Sequence, residues 1–598
     1  MQQATRLFDC IDWQLAQSPM EDMFAAKEEG GIWKKYSTQE VRETVDKLSA
    51  GLLSLGIGPN DMSIEGRDKV AVLSNNRPEW MMLDLAVQQA GAVLTPIYPT
   101  ISVYELEFIL NDASVKLVFV SDRDLYYKVQ SIRDKLPTVG AVYTFDYLQE
   151  ALHWKDIMTK PEEVHMARMH EIRSSIRSED LCTILYTSGT TGFPKGVMLS
   201  HHNILSNVNN VDDVIQGIGV RQGERVLSFL PLNHIFERMM SYVYMFKSLS
   251  IYYAENLEKV GDNLREVQPV VFSTVPRLLE KVYERIMGKG QELTGVKRKL
   301  FFWAVDLGTR FEINKDLGFW YRFQLGLANK LIFKKWREAL GGNVKAICTG
   351  AAACQVRLLR VFTSARIVIM EGYGLTETSP VISVNRFEES SRCFGSVGPV
   401  IRNTEVKLAE DGEICCRGDN VMMGYYKRSD LTGECIDPEG WFHTGDIGVW
   451  VDKKFLKITD RKKEIFKTSG GKYVAPQPIE NKMKESPYIE QMMVVGADQK
   501  FAGALIVPAF PNLREWCSKN GIAVGEQQDM LRNPRVLELF KGIVENYNQQ
   551  FNHVEQVKKF ELLDKEWNIE GGELTPTLKL KRKVIMEKYR NAVDRIYA

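Results

Sequence analysis

Tyr186-Thr187-Ser188-Gly189-Thr190-Thr191-Gly192-Phe193-Pro194-Lys195-Gly196 decides how this chain is read. It follows an uninterrupted apolar run, 181–185, with the length and composition of a buried strand. Hydroxyls and glycines are then interleaved, and a proline and a lysine close the segment. Small residues let backbone N–H groups approach an anion, while hydroxyls and an ammonium add donors that favour negative charge. Such a strand-to-loop segment predicts a cradle for a polyphosphate. The spacing is not that of a Walker A loop, which places Gly directly before Lys and Ser or Thr after it. Here Pro194 precedes Lys195 and Gly196 follows it.

The surrounding pattern alternates helix and strand. Val41, Val45, Leu48, Leu52 and Leu55 share one helical face that ends at Gly56 and Gly58. Residues 69–73 read as a buried strand, 79–90 as a helix, and 92–97 and 117–120 as further strands, which implies parallel sheets under helical cover. From 393 to 460 short β-rich pieces are broken by Gly398-Pro399, Asp411-Gly412 and Glu439-Gly440, predicting a small antiparallel barrel. After Asp460 come Arg461-Lys462-Lys463-Glu464 and a mixed α and β remainder, so a domain boundary is placed there.

Composition narrows the class. Lys+Arg and Asp+Glu are equal at 77 each in 598 residues, so no global field favours nucleic acid. The cysteines are scattered without a C-x-x-C pair and His is sparse, which argues against zinc and disulfide frameworks and for a reducing compartment. The N-terminus lacks the basic and apolar regions of a signal peptide, and no apolar run reaches the ~18–20 residues needed to cross a bilayer. The expectation is a cytoplasmic protein, with peripheral contact on the inner face of a membrane left open.

Further segments carry chemistry. Phe229-Leu230-Pro231-Leu232-Asn233-His234-Ile235-Phe236-Glu237-Arg238 follows a strand-like 226–228; a lone His in so apolar a run is by itself more often a packed core residue. Cys348-Thr349-Gly350-Ala351-Ala352-Ala353 has small residues against which a flat base can lie. Glu371-Gly372-Tyr373-Gly374-Leu375-Thr376-Glu377-Thr378 sits at a strand end, where α/β folds bind ligands. Tyr373 offers an aromatic face, Thr376 a hydroxyl for a phosphate, and Glu377 a carboxylate of the kind Mg²⁺ takes beside phosphate oxygens and water. In the segments 440–448 and 458–467, Asp446 is suited to two ribose hydroxyls and Arg461 adds a donor.

Taken in order, these segments resemble the motifs of the adenylate-forming superfamily, which includes acyl-CoA synthetases, luciferases and peptide-synthetase adenylation domains. The resemblance spans about residues 30–590, and 440–448 with 458–467 resemble the fatty acyl-CoA synthetase signature. It implies an α/β fold: a large N-terminal domain, 1–460, of two helix-flanked, mostly parallel sheets plus a small β-barrel at about 393–460, and a smaller mobile α+β C-terminal domain, 461–598. The implied activity converts a long-chain fatty acid, ATP and coenzyme A, with Mg²⁺, through acyl-AMP to acyl-CoA. Thr187, Ser188, Gly189, Thr190, Thr191, Gly192 and Lys195 are then the phosphate cradle. Gly350, Ala351, Glu371, Gly372, Tyr373 and Gly374 hold the nucleotide, Thr376 meets the α-phosphate and Glu377 the metal. Asp446 and Arg461 serve the ribose, and His234 lies beside the acyl carboxylate. Lys579, in Gly572-Glu573-Leu574-Thr575-Pro576-Thr577-Leu578-Lys579, is the implied catalytic lysine, with Leu578 where the family more often has Gly; Lys581 and Lys583 leave its register open. Lys463 aligns with the hinge, and Gly471 belongs to a loop that admits pantetheine. A related ligase for another acid or a carrier-protein acceptor stays an alternative. A catalytically dead nucleotide or lipid binder is opposed by intact Glu377, Asp446, Arg461 and Lys579.

Residues 297–337 combine aromatics with bases such as Lys297, Arg298 and Lys299. Two readings are open: a helical face lying on an anionic membrane, or core and tunnel wall with solvated bases.

Overall fold

The structure is a computed structural model that describes residues 4–159, 162–187, 194–575 and 578–598. The predicted strand over 181–185 is Leu181–Thr187, and it lies inside an eight-stranded sheet. From one edge to the other this sheet runs Gly424–Tyr425, Lys195–Ser200, Leu181–Thr187, Val93–Ile97, Lys69–Leu73, Val115–Val120, Ala141–Thr144 and Leu152–His153. A second eight-stranded sheet runs Val381–Val384, Val368–Gly374, Ala346–Thr349, Val271–Thr274, Arg225–Ser228, Ser250–Tyr253, Phe24–Lys27 and Trp33–Tyr36. Their central strands are parallel and antiparallel pairs sit at the edges. The central strands, such as Lys69–Leu73 and Val93–Ile97, are buried along their whole length, as expected of parallel strands covered on both faces.

Local signals place the helices. Thr38–Ser54 starts at Ser37, whose hydroxyl accepts the Glu40 N–H while the Glu40 carboxylate accepts the Ser37 N–H, a capping box worth about 1 kcal/mol. Pro78–Gln89 begins on proline, whose missing N–H is no loss at that position. Helix Ile235–Phe246 is tied to Pro78–Gln89 by a fully buried pair: Arg238 Nε donates to Asp84 Oδ2 at 2.8 Å, and Tyr242 and Gln88 donate to the same carboxylate at 2.7 Å each. Such a charge is tolerable only because both ions are paired and hydrogen-bonded.

The barrel expected over 393–460 takes the form of a four-stranded antiparallel sheet in the order Thr404–Leu408, Glu413–Gly418, Phe442–Val451, Phe455–Arg461. Its outer strand does not close on Thr404–Leu408. Leu456 instead exchanges backbone hydrogen bonds with Val397 and Gly398, at 2.8 and 3.0 Å. The short strand Gly424–Tyr425 leaves this region to pair with Lys195–Ser200.

Beyond Arg461 a separate core is drawn from Val474 to Ile596, around the sheet Ile489–Val495, Gly503–Pro508, Lys559–Leu562. An ion pair of Arg277 with Glu490 joins it to the larger body. The nine cysteines form no disulfide. No helix among the described residues is long and apolar enough to cross a membrane.

The segment 297–337 divides. Phe301, Phe333 and Trp336 are buried in a core shared with Leu358 and Phe362. Phe319, Trp320 and Phe323 of helix Gly318–Ala328 face solvent. Sequence spacing alone could not separate the two sets, because both recur at helical intervals.

Candidate active site

A cleft of about 2110 Å³ lies between the two bodies, and most of the predicted residues that the structure describes converge on it from separate elements. Thr187 and Lys195 face each other across the antiparallel pair of Leu181–Thr187 and Lys195–Ser200, and both line the cleft. Ser188, Gly189, Thr190, Thr191 and Gly192 lie outside the described residues. Gly196 sits tightly under this pair: a Cβ there would meet Ile184 Cγ2 at 2.8 Å.

Strands Ala346–Thr349 and Val368–Gly374 run parallel with Thr349 opposite Glu371, which brings Gly350 and Ala351 beside 371–374. Gly374 admits no side chain, since a Cβ would lie 1.7 Å from the Pro380 carbonyl oxygen. The Glu371 carboxyl is buried and accepts the Cys354 N–H at 2.7 Å, so it folds the 350–354 loop against the strand. Burial pushes it up to about 8. Burial likewise pushes the Cys348 thiol up to about 12, which leaves it an unreactive lining group.

Tyr373 donates its hydroxyl to Asp446 Oδ2 at 2.7 Å. Asp446 stands opposite Arg461 in the sheet, and Arg461 Nε approaches its other oxygen at 3.4 Å. Burial raises the Asp446 carboxyl and Arg461 opposes that rise. The aromatic face and the carboxylate assigned to adenosine are therefore one hydrogen-bonded unit.

Thr376 and Glu377 occupy the short helical turn after Val368–Gly374. Glu377 Oε1 accepts the Tyr425 hydroxyl at 2.8 Å, and the Lys195 ammonium lies 5.0 Å from the centre of the Tyr425 ring. Tyr425 had no signal in the sequence: it stands in no motif and reaches the site only because Gly424–Tyr425 pairs with Met198 and Val197. Among the described residues no group of three or more His, Cys, Asp or Glu could hold a metal. Glu377 offers a single carboxylate, which fits Mg²⁺ carried on phosphate oxygens and water.

His234 caps helix Ile235–Phe246 by accepting the Phe236 N–H on Nδ1 at 3.2 Å. Burial, then Lys579, pushes the imidazole down to about 4, so it is neutral and its proton is assigned to Nε2. Asn76 holds the preceding loop, donating to the Leu230 carbonyl at 2.6 Å and accepting the Leu232 N–H at 2.9 Å. Beyond His234 the lining turns apolar, with Val211, Val214, Ile215, Ile235, Met239 and Met240. Glu237, one turn on, faces inward and burial pushes it up to about 8.

From the smaller body Lys579 enters the same cleft, with Arg461, Asp446, Glu464 and Glu377 as its charged neighbours. Burial is the main cause that lowers its ammonium to about 8. Lys583 is exposed. Leu578 has φ +61°, the left-handed region that costs an L side chain roughly 1 kcal/mol. That conformation is the physical reason a glycine suits this position. Lys463 is exposed in the turn closed by the Glu464 and Ile465 N–H groups on the Arg461 carbonyl, at 2.9 and 3.0 Å. Gly471, with φ +76°, lies in the Thr468–Lys472 turn and is not part of the cleft wall.

Two segmented sheets, a strand-end nucleotide pocket and a lysine delivered by a second body define the class of an adenylate-forming enzyme. The chain belongs to the family described as AMP-binding enzyme, which it matches over residues 11–426, and it matches the AMP-binding enzyme C-terminal domain over 463–598. It is 32% identical over 584 residues to the long-chain-fatty-acid–CoA ligase FadD15 of Mycobacterium bovis, covering 95% of this chain and 93% of that protein. It is 31% identical over 597 residues to human long-chain-fatty-acid–CoA ligase 1, covering 95% and 82%. Among solved structures, the Mycobacterium tuberculosis fatty acyl CoA synthetase shares the fold with a TM-score of 0.63 at 20% identity, covering 98% of this chain and 99% of that one. The anthranilate CoA ligase AuaEII, in complex with anthranoyl-AMP, does so with a TM-score of 0.73 at 16% identity, covering 98% of each.

Proposed function

We propose that this chain is an AMP-forming ligase that joins a long-chain fatty acid to coenzyme A. The observation that carries the reading is the junction at His234. On one side lie Lys195, Thr376, Glu377, Asp446 and Lys579, suited to ATP, and on the other an apolar recess suited to an acyl chain.

A carboxylate is a poor acyl donor, so its oxygen first attacks the α-phosphorus of ATP, giving acyl-AMP and pyrophosphate. Lys195 and Lys579 stabilise charge on the phosphates, and preorganised charge of this kind is usually the largest catalytic contribution. Neutral His234 donates Nε2–H to the acyl carboxylate and so orients it. Glu377, held by Tyr425, would carry Mg²⁺, which screens the polyphosphate when bound. The coenzyme A thiol then attacks the acyl carbonyl and AMP leaves. We place the domain boundary at Arg461 and the hinge at Lys463; rotation there withdraws Lys579 and brings the Gly471 loop to the cleft. The orientation seen, with Lys579 inside and Gly471 outside, supports assignment to the first half-reaction.

A panel of fatty acids assayed with ATP and coenzyme A tests the proposal. Acyl-CoA and AMP should form in equal amounts, most efficiently with long chains. ADP as product, or turnover restricted to aryl acids, would overturn it.

A further inference from the structure

We propose that the outer face of helix Gly318–Ala328, continued through Asn329–Phe333, is a docking surface for an anionic lipid bilayer. Phe319, Trp320, Phe323, Leu327 and Leu331 are 80, 66, 55, 41 and 44% exposed. Trp320, Phe323, Leu327 and Leu331 recur at intervals of three and four residues, and Phe319 stands four before Phe323, which puts them on one face. The rings of Trp320 and Phe323 stack at 5.5 Å between centres. No other helix among the described residues exposes more than two large apolar side chains.

This face is not a loose segment waiting to fold inward. On its opposite side Tyr321 donates to the Leu307 carbonyl at 2.7 Å, and Ala328 is buried. The Asn329 side-chain amide donates to the Ser364 carbonyl at 2.8 Å, and Arg337 donates to the Ala365 carbonyl at 2.7 Å. The seating is fully used, so the aromatic side has no place in the core.

Charge identifies the occupant. The chain as a whole has a formal net charge of zero, yet residues 295–339 hold ten Lys or Arg against four Asp or Glu. Arg322 pairs with Asp316 and Lys334 with Glu338. Lys297, Arg298, Lys299, Lys315, Lys330 and Lys335 are exposed around them. A second copy docked here would oppose two basic fields. An anionic surface meets the bases with opposite charge while the aromatics sink to the level of the headgroups. The use of such a surface rests on the ligase reading: a fatty acid partitions into lipid, and an enzyme lying there meets it concentrated.

Flotation of the full chain with phosphatidylcholine vesicles, with and without phosphatidylglycerol, tests the surface. The protein should bind the anionic vesicles at low salt and release as salt rises. The pair Trp320→Ser and Phe323→Ser, and separately Lys330→Glu with Lys335→Glu, should each weaken binding by at least about tenfold. Thermal melting and turnover of a soluble short-chain acid should not change. Wild-type protein that ignores anionic vesicles, or binding indifferent to both variants, overturns the proposal. So does a dimer in gel filtration that the serine pair dissociates. Vesicle binding without any acyl-CoA formation would retire the ligase reading and leave the surface standing; acyl-CoA formation without vesicle binding would do the reverse.

Discussion

Replacing Lys579 by arginine and titrating the two half-reactions separately isolates what its ammonium does. Burial lowers this lysine from 10.5 to about 8, helped by Arg461 and opposed by Asp446, Glu464 and Glu377. The pH dependence of kcat/KM for ATP reports groups of the free enzyme, the state the structure describes. A group with pKa about 8 is roughly nine-tenths charged at pH 7 and one-tenth at pH 9, so ATP–pyrophosphate exchange should fall by about tenfold across that interval. Arginine stays charged, so Lys579→Arg should have a flat alkaline limb, at a reduced rate because its planar head fits differently. Lys579→Ala should cost adenylation roughly 10²–10³ at neutral pH. Thioester formation from supplied acyl-AMP and coenzyme A should show neither the break nor the loss. Stability moves the other way. Between about 8 and 10.5 the unfolded chain holds the proton that folded Lys579 has lost, so stability rises with pH in that window and this lysine stabilises least below it. A break near 8 that persists in Lys579→Arg, or appears equally in both half-reactions, refutes the assignment. Full adenylation by Lys579→Ala moves the role to Lys581.

Three further outcomes follow from single positions. Lys463→Pro removes neither hydrogen bond that closes the 461–465 turn but fixes φ at the hinge; pyrophosphate exchange should survive while acyl-CoA production falls, with unchanged melting excluding misfolding. Tyr425→Phe deletes the 2.8 Å bond to Glu377, and hydrogen bonds to charged groups are worth about 1.5–3 kcal/mol. kcat/KM for ATP should drop at least about tenfold, and an unchanged value over a magnesium titration would detach Tyr425 from the site. Leu578→Gly relieves φ +61° at an exposed position and should stabilise by about 1 kcal/mol, raising the melting temperature by a few degrees; a lowered value would mean that the leucine side chain packs usefully.

What the sequence disclosed depended on distance along the chain. Strand Lys69–Leu73, helix Thr38–Ser54 and strand Leu181–Thr187 each follow from a few neighbouring residues, and each was legible. Motif order supplied Thr376 and Glu377, in the turn after Val368–Gly374, and Asp446 and Arg461, on two paired strands, because each stands in a motif of its own. Tyr425 was not legible: its role exists only through a strand pairing with Val197 that no local pattern announces. The Arg238–Asp84 pair was equally silent, since an acid inside helix Pro78–Gln89 reads as solvent-facing until its partner is known. In 297–337 the aromatic spacing was visible but not which aromatics were covered, because that is decided by Ser364 and Ala365 accepting from Asn329 and Arg337.

The proposed hinge turn and the proposed ribose pocket meet at Arg461, and this constrains the proposed cycle. Arg461 ends the last strand of the larger body, beside Asp446, and its carbonyl closes the turn that holds Lys463. The rotation proposed above, if it pivots beyond that turn, leaves Asp446, Tyr373 and Arg461 together, so on that proposal the nucleoside stays bound through both half-reactions. Lys579 cannot stay. Arg582 fastens its neighbourhood to the smaller body through Glu480 at 2.8 Å and Glu464 at 2.9 Å. A partly buried arginine paired with two carboxylates in this way moves with its partners as one piece. In the proposed cycle the phosphate contact is therefore exchanged while the nucleoside contact is kept, which matches the chemistry: pyrophosphate departs after the first step, and AMP leaves only with the thioester.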